Sequence, residues 1–119
     1  MLRRRSKLQY KKYKEQARVA VHARLSYFNS FYNHAYRRVF IKNTKSRWAS
    51  CSTLGNLNFN YKIIFLPPAL QDYLVVHELC HLRHFDHSPA FWALVGEALP
   101  AHRAARRALR RIERGVRIT

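Results

Sequence analysis

Residues 77–92 read His77-Glu78-Leu79-Cys80-His81-Leu82-Arg83-His84-Phe85-Asp86-His87-Ser88-Pro89-Ala90-Phe91-Trp92. On a helix, positions four apart share a face, so His77 and His81 can offer ring nitrogens to one metal ion while Glu78 leans towards its open side. The preceding turns, Leu70, Tyr73, Leu74, Val75 and Val76, are apolar. The helix is therefore buried, and a buried helix carrying two histidines and a glutamate needs polar partners for them. These residue types at this spacing are those of a zinc-dependent hydrolase, with one Zn2+ expected per chain.

A catalytic zinc takes three protein ligands and keeps one position open, so a third ligand is needed. His84, Asp86, His87 and Glu97 are the candidates. On a straight helix His84 would lie about 10 Å along the axis from His77, at about 1.5 Å per residue, too far for three short bonds to meet. His87 follows the point where the chain can turn back, and Ser88-Pro89 supplies an N-cap and a first-position proline for a new helix. His87 is the better ligand and His84 a neighbour at the rim; Glu97, on the next helix, is the alternative. A metzincin site is excluded by His84, which stands where that motif has glycine, and by Met1 being the only methionine.

Outward from this stretch, Arg47-Trp48-Ala49-Ser50-Cys51-Ser52, Gly55-Asn56-Leu57-Asn58-Phe59-Asn60, Pro67-Pro68, Asp72 to Leu82 and His87 to Trp92 together resemble the YgjP-like metallopeptidase domain, a relative of the SprT-like and WLM zincins. The resemblance spans about residues 37–100. It implies zinc held by His77, His81 and His87, with Glu78 as general base in peptide hydrolysis. Ala49 departs from the family's Arg-Trp-Gly-Ser-Cys motif. The resemblance also leaves open a nucleoside triphosphate (UTP) pyrophosphatase using the same metal, and the SprT-like relatives suggest action on proteins bound to nucleic acid. In zincins generally an edge strand lies over the metal and pairs with an extended peptide; residues 57–60 are the expected edge.

The expected fold is α+β: a minimal zincin-like domain over residues 1–119, with a long N-terminal helix, a small sheet of three or four strands, the active-site helix and two C-terminal helices. Between residues 10 and 34 there is no Pro or Gly, and Ala17, Val21, Leu25, Phe28 and Tyr32 recur at helical spacing. A basic extension, about residues 1–8, precedes it. Residues 37–43, 46–52, 57–61 and 63–66 read as strands. Pro67-Pro68 opens a helix over 69–84, in which Asp72 suits the positive helix end or could orient a ligand histidine. A short helix spans 89–99, with Trp92 beneath the metal loop. The last runs over about 101–116.

The chain carries 23 Lys and Arg against 6 Asp and Glu, a formal net charge of +17. Such a field draws polyanions, nucleic acid among them. On the final helix Arg103, Arg107, Arg110 and Arg114 are candidate anion-binding residues, with Arg117 continuing their stripe beside apolar Val116, and arginine suits phosphate geometry. Arg47, His84 and Asp72 are candidates for contacts around the metal or with substrate, and Arg47, His84 or His102 for a second oxyanion donor. A third possibility is a non-enzymatic basic nucleic-acid-binding module with structural zinc, but Cys80 points about 60° off the His77/His81 face at about 100° per residue, poorly placed as a fourth ligand. Two cysteines, the lack of an apolar run after the basic start and the lack of a membrane-length segment fit a cytoplasmic protein without a membrane span.

Overall fold

A computed structural model describes residues 2–115, and side chains from Lys7 onward. Expectations for Met1 and for residues 116–119, Val116 and Arg117 among them, lie outside the described residues. Helix α1 spans Leu2–Tyr32, so helix replaces the expected N-terminal extension. Ala17, Val21, Leu25 and Phe28 form its buried stripe, and Asn33, at φ 54°, ends it.

Three short strands follow: β1 (Val39–Lys42), β2 (Ala49–Cys51) and β3 (Leu57–Asn60). Their order is β1-β3-β2, with β1 parallel to β3 and β2 antiparallel to it. The register sets Ile41 and Ala49 on either side of Phe59. Residues 57–60 are thus the centre of the sheet and not its edge, with β1 hydrogen-bonded on one flank and β2 on the other, and their Leu57 and Phe59 side chains are fully buried in the core. The strand edge that faces the functional helix is β2. Ala49 sits in regular extended backbone there. Among the described residues Asn33 is the only non-glycine at positive φ, so no turn at position 49 calls for glycine.

Residues 63–66 also depart from expectation. Tyr61–Phe65 form a 3₁₀ helix, capped by the Asn60 side chain, which accepts from the Lys62 N–H. Ile63 and Leu66 are buried whereas Phe65 is half-exposed, a three-residue period that suits 3₁₀ and not strand. The Asn60 amide also donates to the Thr44 and Arg47 carbonyls at 2.7 and 3.2 Å. It thereby holds the segment leading into β2.

Helix α2 (Pro68–His81) begins at the proline pair, its first N–H position needing no partner. It is buried nearly all round, Leu70, Tyr73, Leu74, Val75, Val76, Leu79 and Cys80 among the core, because α1, β2, α3 and α4 all pack on it. Helices α3 (Pro89–Ala98) and α4 (His102–Glu113) complete the fold. No helix is long and apolar enough to cross a membrane among the described residues.

Candidate metal centre

Helix α2 ends at His81, earlier than the sequence suggests, and the chain turns through Leu82 and Arg83, whose N–H groups bond back to Leu79 and Cys80 carbonyls. The turn returns His87 towards the helix. Ser88 then caps α3, its hydroxyl accepting from the Phe91 N–H at 3.3 Å, with Pro89 at the first position. Asp86 accepts the Ser88 N–H, and hydrogen bonding from Ser88, its side chain first and its backbone second, holds the carboxyl below the usual carboxylate value.

The outcome is a cluster of His77, His81 and His87 whose ligand atoms all lie within 4.8 Å of one another. Nε2 of His81 and Nε2 of His87 face each other at 3.1 Å. Two nitrogens at about 2.05 Å from a tetrahedral ion would be about 3.3 Å apart, so the pair fits a shared metal. His81 Nδ1 lies 2.9 Å from the His84 carbonyl. Donating there, it leaves the Nε2 lone pair free for an ion. The contribution of His84 is therefore its backbone oxygen. His77 Nδ1 lies 3.2 Å from Glu78 Oε2, and Glu78 is 4% exposed.

Aromatic rings fix the imidazoles. Phe91, fully buried, stacks on His81 at 4.4 Å between centroids, and Trp92 stacks on His87 at 5.8 Å. Trp92 thus lies against the metal loop as the sequence predicts.

A cleft of about 210 Å³ opens beside His77 and Glu78. Arg47, Trp48 and Ala49 from the β2 side form one wall, Tyr73 on α2 the floor, and Arg106 and Arg110 on α4 the far side. Arg47, a candidate for contacts around the metal or with substrate, and Arg110, a candidate anion-binding residue, both line this cleft. Arg103 lines a different cavity, next to His87. Arg107 and Arg114 are exposed and border no described cavity. Asp72 does not approach the histidines through any hydrogen bond; it pairs with Arg24 of α1 at 2.9 Å. Glu97 is exposed and outside the cluster. His102 belongs with Arg103 in the second cavity and not in the cleft. Cys80 is buried, and burial pushes its thiol up to about 12, which suits a core thiol and not a metal ligand. Tyr73 and Arg106 were not singled out by the sequence. Tyr73 reads there only as an apolar turn residue, and the signal for Arg106, its place among the arginines of α4, does not separate it from its neighbours.

The fold is that of a known metallopeptidase. The crystal structure of the metallopeptidase zymogen of Pyrococcus abyssi abylysin matches with a TM-score of 0.68 and 25% identity, over 81% of this chain and 94% of that one. Fold and histidine cluster together define a metallopeptidase. The chain belongs to the YgjP-like metallopeptidase domain family, whose model matches residues 2–112. No curated protein matches it. Membership implies a bound metal, and the three histidines could hold one.

The cluster has a pH signature. Burial, followed by the neighbouring His77 and His81, holds the His87 imidazole below its ordinary value. The folded chain therefore favours the neutral ring, the form that binds metal. Any stability His87 contributes in the metal-free fold is present above about pH 6.5 and declines as pH falls below it. Metal affinity, followed by equilibrium dialysis, is expected to be nearly flat from about pH 8 to 7 and to fall steeply below about pH 6. Affinity unchanged down to about pH 5 would rule out histidine ligands.

Proposed function

We propose that the chain is a zinc-dependent peptidase in which His77, His81 and His87 hold the ion and Glu78 is the general base. The observation that carries this is a three-imidazole cluster opening, beside a buried carboxylate, onto a cleft walled by the free edge of β2. When bound, zinc supplies Lewis acidity to the scissile carbonyl and to a water. An extended peptide adds to the β2 edge through backbone hydrogen bonds, which brings one carbonyl to the cluster. Glu78 takes a proton from the attacking water and passes it to the leaving amine nitrogen. Burial holds the Tyr73 phenol above its ordinary value, so it stays a donor at neutral pH and can hydrogen-bond the developing oxyanion from the floor of the cleft. Arg47 and Arg106 orient the substrate from the walls.

All 119 residues serve this one domain in our reading. The exposed arginines of α4, offset there by Glu113 alone, support recruitment to proteins carried on nucleic acid. Phosphoanhydride hydrolysis is the weaker reading, since six acids in the whole chain provide no magnesium cluster.

The zinc-loaded chain is expected to generate new amino termini from an unfolded protein while leaving UTP intact. Release of pyrophosphate from UTP with the protein uncut would overturn the peptidase reading in favour of the other.

A further inference from the structure

The second cavity, about 700 Å³, is bordered by His87, Trp92, Gly96, His102, Arg103 and Arg106. No carboxylate lines it among the described residues, and neither Arg103 nor Arg106 has an acidic partner there. Its wall is a row of flat groups: Trp92 stacks on His87 at 5.8 Å and on His102 at 5.4 Å, and the Arg106 guanidinium lies 5.0 Å from the Trp92 ring. Cation and indole hold each other in place, so the guanidinium is partly oriented before any ligand arrives.

The field in this cavity has one sign. The first turn of α4 carries no acid, and Ala101 caps it without a side-chain bond, so the positive end of the helix adds to Arg103 and Arg106. His102 follows the same field. Burial, with Arg103 and Arg106 beside it, keeps its ring towards the neutral form. Position supplies the rest. Arg106 borders both this cavity and the cleft that contains His77 and Glu78, and His87 joins the cavity to the metal cluster. A chain seated at the cluster can therefore reach the cavity without leaving the surface.

We propose that this cavity is a substrate subsite for a carboxylate, held by Arg103 and Arg106 with the aliphatic stem of its residue against Trp92. This rests on the peptidase reading and deepens it: the preferred peptide carries a glutamate side chain or its own C-terminal carboxylate near the bond to be cut. Planar guanidinium groups suit a carboxylate in paired geometry. The volume admits a whole residue with its solvent, which a mere surface ion pair would not require.

The test is equilibrium binding to the zinc-loaded Glu78→Gln chain, by calorimetry, of peptides matched in pairs: glutamate against glutamine, and free C-terminal acid against amide. The indole N–H resonance of Trp92 is followed in the same titrations, and cleavage of the peptides by the unaltered chain is measured alongside. One acidic peptide is expected to bind about tenfold tighter than its neutral twin, a difference of about 1.4 kcal/mol, and to shift the Trp92 resonance. Which pair shows the preference tells side chain from terminus. Arg103→Gln and Arg106→Gln are expected to abolish the preference, and Arg111→Gln, on the exposed part of α4, to leave it intact. Equal binding of both members of both pairs, or a preference that survives the Arg103 and Arg106 variants, overturns the subsite. Failure of the unaltered chain to cut any peptide overturns the peptidase reading instead, and the binding arm still decides the carboxylate site.

Discussion

Glu78→Gln is expected to lower peptide hydrolysis by about 10³-fold, the middle of the range for removal of a general base, while the metal content stays the same. The exchange is nearly isosteric, which matters because Glu78 is 4% exposed on the all-round buried face of α2. The glutamine carbonyl oxygen can still accept from His77 Nδ1, now 3.2 Å from the carboxylate, so the imidazole keeps its orientation. What disappears is the ability to accept a proton from water and return it to the leaving nitrogen. Elemental analysis and hydrolysis of an unfolded protein, made on both chains, separate these effects. A variant that retains metal and cuts within about tenfold of the original would remove Glu78 from the chemistry, because a general base contributes more than that. Loss of metal together with activity would make Glu78 a structural support of the cluster. Loss of UTP hydrolysis with no peptide cleavage in either chain would move the same carboxylate to phosphoanhydride chemistry.

His77, Glu78 and His81 could be read directly from the sequence because their relation is local: four residues of helix fix two imidazoles on one side whatever the rest of the chain does. His87 was legible one step further out, through Ser88 and Pro89, whose capping chemistry announces a turn and a new helix. The long stripe on α1 was equally plain. Its start was not, since the charged residues before Tyr10 carry no apolar period, and helix continues through them to Leu2.

The sheet order was beyond local reading. A parallel pairing of β1 with β3 is made across the intervening β2 segment, and nothing in four-residue strands states which pair will form. Sequence reasoning therefore places the edge beside the metal at Leu57–Asn60, whereas the edge strand on that side is Ala49–Cys51. The short apolar run at Ile63 likewise fits strand and helix until burial shows its period. Tyr73, Arg106 and the cavity beside Trp92 come from the way α4 crosses α2, a tertiary fact. The apolar stripe of α4 fixes that it packs, through buried Leu109, but not which arginine then faces the cluster.

The largest effect on metal retention is expected from His87→Ala set against Glu97→Ala. Both residues follow the helix that bears His77 and His81, and both are chemically able to complete a three-ligand zinc site. The structure separates them by position: His87 Nε2 stands 3.1 Å from His81 Nε2, while Glu97 is exposed near the end of α3 and outside the cluster. Loss of groups that merely orient a ligand costs 10- to 100-fold in affinity, so loss of a direct ligand should exceed about 100-fold. Glu97→Ala, a surface change, should leave affinity and stability nearly as they are, within about 0.5 kcal/mol. Competition with a chelator of known affinity measures both. His87→Ala also removes the ring that stacks on Trp92, so a thermal melt of the metal-free forms is needed to show that the fold survives. If Glu97→Ala is the variant that releases the metal, the ion sits with a carboxylate as third ligand and His87 is a bystander in its wall. If His87→Ala releases it and Glu97→Ala does not, three neutral imidazoles hold the ion, and the cation keeps its full double charge to act on the scissile carbonyl and water.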